Sequence, residues 1–566
     1  MPRDLDWANP ASIRQANLIK ENDQRQVWRV ILNGSAYYAK LYLNNGILSR
    51  LKRYFRGPVC LKEWTVARYA LRHGINCVHP LAYAVSSGTG TSVDCLLITA
   101  GIPQTVPLTD YWMSITQNDA PDRAGRITNL EDALAELLAR AHQAGLSHSD
   151  LHPGNLLVEP RESGRPVVCL VDLHSVRVGH PVSDREAIHN LAQLNQWFRQ
   201  NATLTQRMRL LKRYMACRKN LAEARQGQRW SDRNFKHWAV ALDRAARRHA
   251  EKLNASRDRR IMRDGKYFGK INLPDHWRAH VFLQTKHPTG YSQATHLEFT
   301  AEEWKNTLTS PEKLLDEFSR YTRPIKHSRS TLVCRGNLQI GRHNLPVVTK
   351  RHISRKPFAA LWDCLRKSRA LKAWKLSFAM RHRQLPVAQP LAVLERRIGP
   401  YLTNSILITE EVKPCVNLRT FITSVLPTIP QDRRYAIKTH LTDQLAALLR
   451  KMHQNGFAHR DMKATNILIQ NLPSELTEAV DPKSLQVVLV DLDGLRIKDP
   501  SQRDQIRALV RLSLSADLST HVTQTDRARF LKSYLTCYGS GVPDWKSLWR
   551  TIQLEREKSF QDHIPG

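Results

Sequence analysis

The chain has 566 residues, 42% apolar and 24% charged, fractions of a folded globular protein that exclude wholesale disorder, and its length calls for two domains with a connecting piece. Its net charge of +35 implies attraction to something anionic, whether nucleic acid, phospholipid or an acidic glycolipid. No apolar run approaches the roughly 18 residues that span a bilayer, and the start, MPRDLDWANP, lacks the apolar core of a signal peptide, so a cytosolic location is expected.

Along the chain, VWRVILNGSAYYAKLYL (27 to 43) reads as a β-hairpin turning at Asn33-Gly34 and carrying Lys40 on its second strand. SRLKRYFRG (49 to 57) mixes basic and aromatic residues, which suits a basic lip for a phosphorylated sugar or an anionic membrane surface. KEWTVARYALRHG then places Trp64, Ala67, Ala70 and Leu71 at helical spacing and stops at Gly74. Two strands follow, around Pro80 and in LLIT (96 to 99). LARAHQAGLSHSDLHPGNLLV (138 to 158) reads as a helix running into a loop, and VVCLVDL (167 to 173) as a short buried strand that delivers Asp172 at its end.

The same order then recurs. LRKMHQNGFAHRDMKATNILI (449 to 469) echoes the loop segment at an offset of 311, Lys350 matches Lys40 at 310, and ILIT (406 to 409) matches LLIT at 310. Asp491 in VVLVDL matches Asp172 at 319, and RFLKSYLTC (529 to 537) matches RLLKRYMAC (209 to 217) at 320. Preserved order with an offset that drifts only through loops means duplication. Residues 1–225 and 321–566 are therefore expected to be two homologous units. The basic stretch 226–320, a helix-like Arg-rich segment followed by short strands, reads equally as a linker, a small middle domain or the end of the first unit. The nine cysteines show no CxxC pair and no metal-ligand spacing, so they are expected to be reduced thiols.

Phosphoryl transfer from ATP requires a cation for the phosphates, hard oxygen ligands for magnesium, a carboxylate at the acceptor hydroxyl, and alignment. Asp150 and Asn155 lie five residues apart on one loop with Asp172 arriving from a separate strand; Asp461, Asn466 and Asp491 repeat the arrangement, and Lys40 or Lys350 comes from the other side. His148 and His459 read as loop-stabilising, bonded to backbone or to the second Asp. Lys463, two residues after Asp461, is placed to reach the transferring phosphate, where the first copy has His152 followed by Pro153-Gly154.

HSDLHPGNLLV, HRDMKATNILI, and VDLH and VDLDG in place of a protein kinase's DFG resemble the protein-kinase-like superfamily. Within it they are similar to the bacterial lipopolysaccharide core kinases, the family of Kdo and heptose kinases. The resemblance covers most of both units and implies an α+β fold of two tandem bilobed kinase-like domains, acting as an ATP-dependent phosphotransferase on a sugar hydroxyl of lipopolysaccharide core at the cytoplasmic face of the inner membrane. It also implies that Asp150 and Asp461 are catalytic, that Lys40 and Lys350 bind ATP phosphate, that Asn155, Asp172, Asn466 and Asp491 bind Mg2+, and that Thr99 and Thr409 lead into the adenine hinge. Neither copy has a GxGxxG loop. Glu63 sits where a helix Glu pairs with Lys40, whereas the matching residue for Lys350 is Ala373, so the copies are expected to do unequal work. A second basic-aromatic segment, SRKPFAALWDCLRKSRALK (354 to 372), repeats the basic lip. The alternatives are a Ser/Thr protein kinase, suggested by HRDMKATN, and a pseudokinase scaffold binding an acidic partner; no nucleic-acid recognition module is visible.

Overall fold

The computed structural model describes residues 5–22, 24–43, 57–86, 93–117, 122–162, 164–224, 234–285, 292–321, 324–328, 331–353, 367–472, 480–516, 521–535 and 544–561. The chain divides into two compact units, Met1–Glu251 and Lys252–Gly566, each an antiparallel sheet followed by a helical lobe.

In the first unit, strands Ala16–Asn22, Arg25–Leu32, Ser35–Leu43, Val93–Ala100 and Pro80–Val85 lie side by side in that order. The expected hairpin is present. Leu32 faces Ser35 across the turn, with Asn33 at φ 49° and Gly34 at φ 77°, the backbone twist that a two-residue hairpin loop needs. Helix Val59–Arg72 buries Cys60, Glu63, Val66, Ala67 and Ala70, a stripe at helical spacing, and ends at His73 and the left-handed Gly74. The helical lobe packs Arg123–Gln143, Asp184–Asn201 and Leu204–Ala224 around Leu134, Leu138, Leu191, Phe198 and Tyr214.

The second unit repeats this plan with a larger sheet. Its seven strands run Phe268–Asn272, Trp277–Phe282, Pro390–Ile398, Tyr401–Glu410, His343–Ile353, Thr331–Ile340 and Lys326–Ser328. Of the stretch 226–320, which stands apart in the sequence, the described residues belong to the two units and form no separate body among them. Trp238, Leu242 and Ala246 of helix Phe235–Arg260 join the core of the first helical lobe. Strand Trp277–Phe282 pairs with Pro390–Ile398, setting Val281 opposite Ala392, and so extends the second sheet. Trp304 is fully buried in that sheet's core and donates its indole N–H to the Phe282 carbonyl at 2.8 Å. The buried Glu410 accepts from the backbone N–H groups of Gln293 (2.7 Å) and Ala294 (3.2 Å) and from the Ser292 hydroxyl, which ties this added segment to the strand leading out of the sheet. Among the described residues the first sheet has no such addition: Pro80–Val85 is its edge, with Leu81, Tyr83 and Val85 exposed. The seven described cysteines are all free thiols.

Candidate active site

Each motif loop leaves a three-residue strand, Leu146–His148 or Phe457–His459, and is held by one imidazole. His148 accepts at Nδ1 from the Asp150 backbone N–H (3.2 Å) and donates from Nε2 to the Val171 carbonyl (3.4 Å). His459 accepts from the Asp461 N–H (3.1 Å) and donates to the Asp491 carbonyl (3.3 Å). Burial pushes both rings below their ordinary pKa, so each keeps the one donor and one acceptor that this bridge requires. The carboxamides close the other side: Asn155 Nδ2 donates to the Asp150 carbonyl (2.9 Å) and Asn466 Nδ2 to the Asp461 carbonyl (3.1 Å). The loop Asp, the Asn and the end of the following strand thus form one fixed block in both units, and the histidines bond backbone rather than a carboxylate.

In the first unit Lys40 forms a buried ion pair with Glu63, and Tyr42 donates its hydroxyl to the same carboxylate. Burial alone would raise the Glu63 pKa, but the ammonium of Lys40 outweighs it and holds the carboxyl below its usual range. Asp172, in left-handed backbone at φ 60°, is ringed by nitrogen groups. Arg25 grips it with both guanidinium nitrogens (2.6 and 3.2 Å), His174 Nδ1 lies at 2.7 Å and Lys40 Nζ at 3.8 Å. Against burial, which would raise it, the bonds from His174 and Arg25 and the charge of Lys40 keep the Asp172 carboxyl far below the carboxylate range.

The second unit solves the same problem with different residues. Ala373 is buried where Glu63 would lie, and Lys350 Nζ instead sits 2.7 Å from Asp491 and 2.7 Å from Asp493. Burial would lower the Lys350 pKa, but Asp493 and then Asp491 raise it, so it stays charged. Tyr42 and Arg25 face each other across their strands, and the matching pair here is His352 and Thr331. Asp461 accepts from Lys463 (2.9 Å) and Arg511 (2.8 Å), whose cations, overcoming burial, hold it below its usual pKa. In the first unit, among the described residues, the corresponding Asp150 is approached by the His152 ring at 3.7 Å, and Gln193 from the helix behind the loop accepts from the Leu151 N–H.

Thr99 and Thr409 end the strands next to those of the two lysines. Lys40 faces Leu97 and Lys350 faces Leu407, so each Thr, two residues on, shares its lysine's face of the sheet. Residues 44–56 and 354–366, most of the two basic-aromatic segments, lie outside the described residues. Arg25, Tyr42, His174, Asp493 and Arg511 are the site residues that sequence reasoning missed. Asp493 was the findable one, a second acid two residues beyond Asp491. With two carboxylates and the Asn466 amide oxygen, the second unit has donors that suit a hard divalent cation.

The family model described as "Lipopolysaccharide kinase (Kdo/WaaP) family" matches this chain twice, over residues 12–214 and 348–534. No curated protein matches it. Among solved structures, WaaP in complex with acyl carrier protein is 19% identical with a TM-score of 0.34, covering 46% of this chain and 98% of that one. WbdD is 17% identical with a TM-score of 0.25, over 41% of this chain and 46% of that one. A Stt7 homolog from Micromonas algae, soaked with ATP, is 13% identical with a TM-score of 0.24, over 44% and 79%.

Proposed function

We propose, because the chain belongs to the lipopolysaccharide kinase (Kdo/WaaP) family and is thus an ATP-dependent kinase, that it transfers the γ-phosphate of ATP to a sugar hydroxyl of lipopolysaccharide core. The observation that carries this reading is the imidazole bridge: one ring joins the backbone of the loop Asp to the strand end that presents the second Asp, in both units.

In the second unit Asp461 is the group at the acceptor hydroxyl. Held ionised by Lys463 and Arg511, it orients the hydroxyl and takes its proton as the new P–O bond forms. Lys463 also reaches the transferring phosphoryl group, and Lys350 neutralises the phosphates from the sheet side. Asn466 and Asp491, with Asp493, would hold magnesium, which supplies further charge neutralisation on the phosphates. Asp150, Lys40 and Glu63 are the first unit's counterparts, with Asn155 and Asp172 at the metal position. Thr99 and Thr409 lead to the segments that receive adenine. The acceptor is an anionic glycolipid, which the +35 net charge suits. The place of action is the cytoplasmic face of the inner membrane, reached from the water side; among the described residues no helix is long and apolar enough to cross a membrane.

A peptide acceptor fits less well. Only four residues separate strand Leu495–Ile497 from helix Gln502–Ala516, which leaves no room for a peptide-positioning segment. Incubating the protein with labelled ATP and either lipopolysaccharide core or a protein mixture tests the reading. Label on the glycolipid is expected, and label on protein alone would overturn it.

A further inference from the structure

Helix Gln502–Ala516 packs against the motif loop of the second unit. Its Ser515 hydroxyl accepts from the Ala464 N–H at 2.8 Å, and Ala508, Leu509 and Val510 are buried in the core of the helical lobe, so the backbone that carries Arg511 is fixed against that loop. Ser501 caps this helix by accepting from the Asp504 N–H at 3.2 Å, as Ser183 caps Asp184–Asn201 in the first unit, and ten residues beyond each cap stand Arg511 and Gln193. The two have different tasks. Gln193 is buried and accepts from the Leu151 N–H at 2.7 Å, whereas Arg511 is half-exposed and points its guanidinium at the carboxylate of Asp461.

Among the described residues Arg511 uses one guanidinium nitrogen: Nη1 meets Asp461 Oδ1 at 2.8 Å, and the other nitrogens have no partner there. Lys463 Nζ lies 2.9 Å from the same Oδ1, so Asp461 has a cation without Arg511, and among the described residues Oδ2 is left for the acceptor hydroxyl. A hydroxyl that gives its proton to Oδ2 lies about 3 Å from it. A substituent on the neighbouring carbon of the sugar then comes within reach of the guanidinium, whose unused nitrogens offer the paired donors that a carboxylate or phosphate accepts.

We infer that Arg511 is an acceptor-binding residue, holding an anionic substituent, carboxylate or phosphate, that the sugar carries beside the hydroxyl facing Asp461. This rests on the kinase reading of the second unit and narrows its acceptor to a sugar with a negative charge next to the phosphorylated position. One guanidinium fork then ties the loop carboxylate and the acceptor together, so that binding the anion also aligns the hydroxyl.

Label transfer from ATP by the full chain carrying Asp150→Asn, which leaves the second unit's loop as the intact one, tests it with three acceptors: lipopolysaccharide core as isolated, core stripped of phosphate esters, and core with its carboxyls reduced to alcohols. At least one treatment is expected to raise the acceptor KM roughly tenfold or more, the effect of losing a charge-assisted contact, and which one does so identifies the anion. Arg511→Gln, the residue that the first unit carries at this place, should raise the KM for untreated core by a similar factor, leave the KM for ATP unchanged and no longer distinguish that treated core from the untreated one. Arg511→Lys, with one ammonium in place of the fork, should recover part of the preference. A kcat lowered equally on all three acceptors with KM unchanged would make Arg511 a positioning residue for Asp461 and overturn the inference, as would a wild-type KM indifferent to both treatments. A chain that labels no core at all takes down the kinase reading and this inference together; label on untreated core with Arg511→Gln behaving as its parent refutes the role of Arg511 alone.

Discussion

Asp493 stands 2.7 Å from the ammonium of Lys350 and is the second unit's answer to Glu63, whose matching residue there is Ala373. The lysine keeps an acidic partner in both copies, but that partner has moved from the helix to the strand-end motif, where His174 stands in the first copy.

The relocation predicts compensation. In a chain already carrying Lys40→Ala, which removes phosphate binding from the first unit, Asp493→Asn keeps an oxygen but removes the charge beside Lys350, and ATP affinity in magnesium is expected to fall about tenfold, or roughly 1.4 kcal/mol. Adding Ala373→Glu should recover most of that loss. A double variant binding no better than the single one would mean that the two positions are not interchangeable.

Breaking the buried pair of the first unit is expected to be costly. Glu63 is fully buried and bonded to both Lys40 and Tyr42, so Glu63→Ala strands an ammonium and a hydroxyl away from water. The unfolding transition of the first unit should lose about 3–5 kcal/mol, readable by urea denaturation. Glu63→Gln, which still accepts from Tyr42, should lose less.

Two buried histidines make stability depend on pH. His142 bonds Tyr214 and Asn190, His453 bonds Tyr534, and burial pushes both down to about 4. An unfolded imidazole titrates near ~6.5, so between that value and about 4 the unfolded chain takes up more protons than the folded one. Each group's contribution is full above ~6.5 and is lost as the pH falls, up to about 3 kcal/mol apiece. His453→Gln should flatten the second unit's stability profile across this window; a slope unchanged from wild type would assign the acid sensitivity elsewhere.

Catalytic asymmetry is expected as well. Asp461→Asn should reduce label transfer by about 10²–10⁴-fold, the range for losing a positioned proton acceptor. Asp150→Asn, at a loop without the Lys463 and Arg511 clasp, should cost far less. The double variant should be inactive, and full turnover in it would place the chemistry outside both loops.

Much of this was legible in the sequence because the motif residues lie close together in the chain. Asp150 to Asn155 is a single loop, and Asn33-Gly34 dictates its own turn. Less legible were partners that meet only through tertiary pairing. Arg25 reaches Asp172 across 147 positions, and nothing in its surroundings marks it apart from other arginines of a basic chain. Strand Trp277–Phe282 could be suspected from its aromatic and β-branched content, but its pairing with Pro390–Ile398 depends on sheet register, which periodicity does not encode. The strand-end position shows both limits: Asp172 and Asp491 match in sequence, yet the first meets Arg25 and His174 and the second meets Lys350.

The added strands of the second sheet also decide where the gene could be cut. A fragment beginning at Lys252 keeps Phe268–Asn272 and Trp277–Phe282 and with them the buried aromatic side chains beneath. One beginning at residue 321, where sequence repetition alone would put the scissors, leaves Pro390–Ile398 as a raw sheet edge with its ladder groups unpaired, the kind of edge that recruits other chains. Expression of the shorter fragment is expected to yield aggregate, because inheritance by duplication and independence in folding have different borders in this protein.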